Sequence, residues 1–428
     1  MQLKNFDGYK YIDGGVCASI GFKANGVYCG ITNKPTVAAI SNEPLNPNGE
    51  KKKNDVGMIF CEKKCNAVAV YTQNKVKGAP IIVTKKNIAD GYAQAVIVNS
   101  KNANTCNANG EEIAQKMCDM TAKALGINSK DVIVASTGVI GQPLYIEPIQ
   151  AKIDTLVSGL SSDNNTECAT AIMTTDTFKK EMAVEFLIDG KVCHLGGMAK
   201  GSGMIHPNMA TTLNFVTTDV AISTEMLQKA LDKVVKITYN CLSVDGDTST
   251  NDMVSVMASG MAKNSEITTE NSDYKTFEKA LYIVMMNMTK MLAKDGEGAT
   301  KLLECNVFNA PSLETGIIVA KSVITSSLFK SAMFGSDANW GRILCAIGYA
   351  NAEFDINKVD VSLASIKGSI DVCKNGAGLD FSEEIAKEIL LEDEISINID
   401  LKDGEEKATA WGCDLTYDYV KINGDYRS

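Results

Sequence analysis

Short apolar runs broken by turn residues dominate the first third of the chain. AVAVYTQ at 67–73, PIIVT at 80–84, AVIVNS at 95–100 and DVIVAST at 131–137 are rich in β-branched residues, which predicts buried strands. EEIAQKMCDMTAKALG at 111–126 carries apolar residues at three-to-four spacing and stops on Gly, which predicts a helix between the last two strands. Strand, helix, strand is the alternation of an α/β chain. Helical apolar stripes recur at 224–242, 276–294, 321–334 and 381–393, and the Met-rich stretch at 284–291 reads as helical core. SINIDLKDG at 396–404 and ATAWGCDLTYDYVKI at 408–422 alternate like the two strands of a hairpin. No Pro- or Ser-rich linker divides the chain and no 20–50-residue repeat is present.

Composition removes several function classes. With 42 basic and 52 acidic side chains among 428 residues, the net charge of −10 disfavours nucleic acid as a partner. Only His194 and His206 exist, so a His-rich zinc site cannot be built and a Ser-His-Asp triad has just two candidate bases. The 13 cysteines are odd in number and scattered, and Cys61 and Cys65 lack a second pair to complete a metal site; buried thiols in a reducing compartment are expected. Asp245, Asp247 and Asp252 form an acidic loop without the Gly and terminal Glu of a calcium site, so no metal is expected. The N-terminal MQLKNFDGYKYIDGG has no apolar signal core, and no apolar run approaches the ~20 residues of a membrane span. A soluble cytoplasmic protein without membrane contact is the expectation.

One Gly-dense stretch, GGMAKGSGMIHPNMATTLNF at 196–215, demands a chemical reason. Gly201 and Gly203 permit unusual backbone geometry, Pro207 fixes a turn, and Ala210 leaves the following peptide bond sterically open. Thr211 and Thr212 then supply hydroxyls ahead of the strand-like LNFVTTD. A threonine hydroxyl is a weak nucleophile unless a base is held beside it, and one solution is the residue's own α-amine, exposed by backbone cleavage. From composition alone, a Gly-rich turn before a strand is the better explanation of the segment. A phosphate loop does not fit, because the G-x-x-x-x-G-K-[ST] spacing is absent.

KGSGMIHPNMATTL at 200–213 closely resembles the self-cleavage motif of the ornithine acetyltransferase family, the bifunctional glutamate N-acetyltransferase and amino-acid N-acetyltransferase of arginine biosynthesis. The likeness extends over essentially the whole chain: NKVKGAP at 74–80, VNSKNANTC at 98–106, STGVIGQPL at 136–144 and MTTDTFKK at 173–180 also look like family blocks. So do VDGDTSTNDM at 244–253, DGEGATKLLE at 295–304, GSDANWGRIL at 335–344 and the terminal YVKINGDYRS. The chain departs from the pattern at Lys101, Ala338 and Gly424, and ends in Ser428, which keeps the hydroxyl.

The resemblance implies an α/β fold of layered sheets flanked by helices, of the self-cleaving N-terminal-nucleophile type. Cleavage between Ala210 and Thr211 would give an α segment 1–210 and a β segment 211–428, assembling as a heterotetramer of two of each. It implies acetyl transfer from N2-acetyl-L-ornithine to L-glutamate, giving L-ornithine and N-acetyl-L-glutamate. No cofactor is implied; acetyl-CoA is left open as a second donor. Thr211 is the implied nucleophile, and Thr137 with Gly138 the implied oxyanion-hole pair, with Gly138 letting a backbone N–H approach closely. Thr174, Lys200, Thr211, Glu297, Asn423 and Ser428 match family substrate-binding positions. With imidazole scarce, the Thr211 α-amine is the most economical base, and His206 reads as a structural loop residue. Two rivals stand beside this reading. In a related self-processed amidase, water would replace glutamate; Lys200, Glu297, Asn423 and Ser428 together point instead to an amino-acid acceptor. A non-catalytic amino-acid-binding protein would need neither nucleophile nor oxyanion hole.

Overall fold

A computed structural model describes residues 3–31, 52–206 and 212–425. Strands β1 (Tyr9–Ile12), β2 (Phe22–Val27) and β3 (Val56–Tyr71) precede α1 (Ala79–Asn87), β4 (Tyr92–Asn99), α2 (Gly110–Leu125) and β5 (Val132–Ser136). Helices α3 (Glu147–Ser158) and α4 (Asn165–Ala171) lead to β6 (Lys180–Ile188), β7 (Lys191–Lys200), β8 (Leu213–Thr218), α5 (Thr224–Lys236) and β9 (Leu242–Ser243). Next come β10 (Met253–Ala258), α6 (Ser272–Lys294), β11 (Leu302–Ala310), α7 (Leu313–Thr325), α8 (Ser327–Phe334) and α9 (Trp340–Gly348). The chain continues through β12 (Asp360–Ser365), β13 (Gly368–Lys374), β14 (Ala377–Gly378), α10 (Glu383–Leu390), β15 (Glu394–Asp400), β16 (Glu406–Cys413) and α11 (Tyr417–Asp425).

Two sheets organise these elements. The first runs β1-β6-β7-β8-β10-β3-β4-β5, with β2 also paired to β3; the second runs β14-β13-β12-β15-β11-β16-β9. Helix α6 packs on β6 and β7 of the first sheet and on β11 and β16 of the second. Contact on both sides explains why Ile283, Val284, Met285 and Met288 are all fully buried, so that the Met-rich stretch is core. In β4, Ala95 and Ile97 pack with residues of α2 and α3, while Val96 and Val98 face Phe215 and Met257. Burial on both faces is what turns this strand into an unbroken apolar run. The architecture is layered α/β, as expected.

Several local expectations fail for identifiable reasons. PIIVT at 80–84 lies in α1, not in a strand: Pro80 sits in its first turn, and Ile81, Val83 and Thr84 are buried where the helix packs on α2 and β5. Tertiary burial outweighs the β-branched composition. The helix expected over 224–242 ends at Lys236. The one expected over 321–334 is broken at Ser326, whose hydroxyl accepts the Phe329 N–H and caps α8. The expected C-terminal hairpin does not form, because β11 lies between the two strands, parallel to β15 and antiparallel to β16. Residues 417–425 are helical instead. Most thiols are buried, but Cys106 and Cys345 are exposed. Among the described residues no single helix is long and apolar enough to cross a membrane.

The Gly-dense stretch begins inside β7 rather than in a loop. There Gly196 lets the backbone of the 15–17 turn lie directly on the strand, and an added Cβ would fall 1.9 Å from the Gly15 carbonyl oxygen. Gly196→Ala is therefore expected to lower stability by about 1–3 kcal/mol, the usual range for overpacking. A urea midpoint matching the parent protein's would contradict this.

Candidate functional site

Pairing of β7 with β8 places Lys200 opposite Leu213, and parallel pairing of β8 with β10 places Met253 opposite Leu213. Lys200, Thr212 and Asp252 are thereby gathered at one end of three adjacent strands. The loop after β5 reaches the same place. Thr137 donates its N–H to the Asn99 carbonyl at 2.9 Å. Asn251, just ahead of β10, donates from Nδ2 to the carbonyls of Ala103 (2.6 Å) and Ser136 (2.9 Å), tying that loop to the centre. A cavity of about 150 Å³ opens between these elements, lined by Thr137, Gly138, Thr174, Lys200, Glu297 and Asn423, among others. All six of these sequence-predicted residues meet in one space. Ala210, Thr211 and Ser428 lie outside the described residues.

Gly138 has φ +126°, and an added Cβ would lie 2.4 Å from the Lys101 carbonyl carbon, so only glycine fits. Lys101 thus bears on the site through its backbone. Lys200 is buried and donates from Nζ to Thr137 Oγ1 at 3.3 Å. Because an ammonium has only donors, the hydroxyl must accept here, and its own proton is left to point elsewhere. Burial lowers the Lys200 pKa, opposed chiefly by the Asp176 carboxylate.

Asp176 and its partners carry no signal in the sequence strong enough to single them out. Asp176 Oδ1 accepts from Lys180 Nζ and from the Gly201 N–H, both at 2.7 Å, and Oδ2 accepts the Thr174 N–H at 2.9 Å. Lys180, with a fully buried side chain, reaches on to Asp295 at 2.5 Å. Asp295 in turn accepts the Thr177 N–H and hydroxyl. Burial pushes the Asp176 carboxyl up, but Lys200, Lys180 and the Gly201 N–H outweigh it and hold the group well below the usual carboxylate range. Lys53 donates to the Thr174 carbonyl at 3.1 Å and is a further cation near the site. The TTDTFKK block holds most of this network, although the resemblance singles out only its Thr174.

Glu297 also lines this cavity. Its N–H donates to the Ser202 carbonyl at 2.9 Å, and its Oε2 accepts from Asn423 Nδ2 at 2.8 Å. Gly203 makes room: a Cβ there would lie 2.3 Å from that same Oε2. Helix α11 brings Asn423 in, and the Thr416 hydroxyl anchors its start on the Gly298 carbonyl at 2.6 Å. His206 does not line the cavity; its Nδ1 lies 3.0 Å from Ser243 Oγ. Asp245 accepts the Met204 and Ile205 N–H groups and Asp252 that of Thr212, and among the described residues no cluster of His, Cys, Asp and Glu fits a metal ion.

Residues 45–428 match the model of the ArgJ family. The chain belongs to the ArgJ family. It is 51% identical over 377 residues to arginine biosynthesis bifunctional protein ArgJ 1 of Clostridium acetobutylicum, covering 88% of this chain and 92% of that one. Identity to the ArgJ protein of Caldanaerobacter subterraneus is 47% over 418 residues, covering 97% of this chain and 99% of its relative. The crystal structure of ornithine acetyltransferase complexed with ornithine from Mycobacterium tuberculosis is 30% identical, covering 47% of this chain and 100% of that chain with a TM-score of 0.40. Membership of this family makes the chain an acetyltransferase of arginine biosynthesis.

Two outcomes follow from this geometry. Gly138→Ala should force the turn at 137–139 away from the Lys101 carbonyl and lower stability by about 1–3 kcal/mol, the usual range for overpacking; a urea midpoint matching the parent protein's would contradict this. Burial pushes the His206 pKa from 6.5 down to about 4. Below pH 6.5 the unfolded chain takes up a proton that the folded protein refuses until about pH 4. Stability should therefore fall as pH drops across that window, and urea titrations should show a shallower fall in His206→Asn.

Proposed function

We propose that Thr211 accepts the acetyl group of N2-acetyl-L-ornithine as an ester and passes it to L-glutamate, after self-cleavage between Ala210 and Thr211. The observation that carries this reading is one cavity whose walls include both the Lys200–Thr137 contact and the Glu297–Asn423 pair. The first pair suits an acyl group and the second an amino acid.

The steps follow from those walls. The Thr211 oxygen attacks the acetyl carbonyl, with the freed α-amine of the same residue taking its proton. Thr137, whose hydroxyl oxygen already accepts from Lys200, has its own proton available for the developing oxyanion, and Gly138 offers a backbone N–H beside it. Collapse breaks the C–N bond, and the protonated α-amine of ornithine leaves. Glu297 attracts the ornithine side-chain ammonium, and Asn423 orients that carboxylate. Glutamate's α-amine then attacks the acetyl ester through the same oxyanion site, which restores the Thr211 hydroxyl. Ser428, five residues beyond Asn423, adds a donor for an amino-acid carboxylate. The active assembly is two copies each of the 1–210 and 211–428 segments. Acetyl-CoA serves as the second donor of a bifunctional enzyme, in keeping with the names of the relatives.

The test combines mass and kinetics. Incubation with N2-acetylornithine alone should add one acetyl mass to the fragment starting Thr-Thr-Leu-Asn, and double-reciprocal plots for the two substrates should be parallel. Thr211→Ala should stay full length and inactive. Intersecting lines with no acetylated fragment on rapid quench would reject the acyl-enzyme. Glutamate acetylation with acetyl-CoA as sole donor checks the second activity.

A further inference from the structure

The side chains of the two substrates end in opposite charges, an ammonium in ornithine and a carboxylate in glutamate. Glu297 lines the cavity and suits the first, but by the same charge it repels the second. The acceptor's side chain therefore calls for a cation. Lys200 lines the cavity as well, but it is buried, with its ammonium on Thr137 Oγ1. Lys180, also buried, is paired with Asp176 and Asp295.

Two exposed lysines stand beside the same cavity. Lys53 donates from Nζ to the carbonyl of Thr174, a lining residue, at 3.1 Å. An ammonium has three donors, and among the described residues this carbonyl is the one acceptor that Lys53 engages, so donors remain for a ligand. Lys101 lays its carbonyl against Gly138, another lining residue, and accepts the Val139 N–H there at 3.3 Å. Loss of solvent lowers the Lys53 pKa, Asp176 opposes this, and the charges of Lys101, Lys200 and Lys180 add to the lowering. Asp176 is already held by Lys180 and the Gly201 N–H. Asp55, whose carboxyl feels the charge of Lys101, already receives the N–H groups of Cys29, Gly30 and Ile31. Positive charge is thus gathered around Lys53, and a ligand carboxylate would balance it.

We propose that Lys53 and Lys101 form the subsite for the side-chain carboxylate of the acceptor, L-glutamate. The inference rests on the reading of glutamate as acceptor. Donor and acceptor then share the groups that transfer the acetyl, while their side chains part toward charges of opposite sign. Ornithine's ammonium goes to Glu297, and glutamate's carboxylate goes to Lys53 and Lys101. Each subsite also repels the other substrate's side chain, so the arrangement selects by penalty as well as by attraction. Lys53, with its direct bond to Thr174, carries the larger share. Lys101 is a position where the chain departs from the family pattern, so its cation is a feature of this sequence.

The experiment measures acetyl transfer by the purified protein with N2-acetyl-L-ornithine as donor, so that no phosphate enters. It takes kcat/KM for each substrate separately, beside thermal melting of the same samples. Lys53→Met should lower kcat/KM for L-glutamate about five- to tenfold, the scale of one charged contact in a partly solvated site. The fall should exceed that for N2-acetyl-L-ornithine. Lys101→Met should act in the same direction by about two- to fivefold, and Lys53→Glu should exceed Lys53→Met. Equal falls for both substrates would make Lys53 a prop for Thr174 and overturn the inference, as would an unchanged value for glutamate. If Lys53→Met does not fold, Lys101→Met decides by the same comparison. A loss confined to assays with acetyl-CoA as donor would assign the two cations to its phosphates, which also overturns the inference. A parent enzyme that transfers no acetyl to glutamate would remove the acceptor reading itself. A parent that does so, with glutamate kinetics that both lysine variants leave untouched, would remove the subsite alone.

Discussion

The buried carboxylate of Asp176 is the constraint on which the site depends. Through Lys180 it is linked to Asp295, at the C-terminal end of α6, and through the Gly201 N–H it fixes the end of β7. Its negative charge also opposes the loss of charge that burial forces on Lys200. Charges of this kind cannot be left single in the interior: breaking one partner out of a buried pair costs about 3–5 kcal/mol. The chain of Asp295, Lys180, Asp176 and Lys200 therefore stands or falls together. It joins the central helix to the strand end that presents the ammonium to Thr137.

Charges of both signs meet in the site. Lys200 and Glu297 both line the cavity, Glu297 favours the charged form of the buried Lys200, and Lys53 donates to the Thr174 carbonyl. Helix α11 contributes Asn423 to the same cavity late in the chain. The Thr416–Gly298 and Asn423–Glu297 bonds hold it there.

Much of this was legible in the sequence, and what was not has physical causes. The alternation at 95–136 revealed β4, α2 and β5 as strand, helix and strand, and burial of both faces made the two strands unbroken apolar runs; their parallel pairing came from the fold. PIIVT misled because helix α1 is apolar on nearly every side, and periodicity cannot separate a buried helix turn from a buried strand over five residues. The C-terminal strands were found, but not their separation by β11, since no local feature encodes a neighbour a hundred residues away. In the site, motif residues such as Thr137, Lys200 and Glu297 were found by their blocks. Asp176, Lys180 and Asn251 act through bonds to backbone and to one another across long separations, so only the fold exposes them. Asp245 and Asp252 were noticed as an acidic loop, but their work is to receive the backbone N–H groups of Met204, Ile205 and Thr212.

The most direct test of this account is a double-mutant cycle between Asp176 and Lys180, read in urea stability and in kcat/KM for acetyl transfer. Asp176→Asn and Lys180→Met should each be strongly damaging, and the double variant should be far less damaged than their sum, with a coupling of about 1 kcal/mol or more. Effects that add within about 0.3–0.5 kcal/mol would show that the two residues act independently. The buried charge chain would then not be what holds the site together.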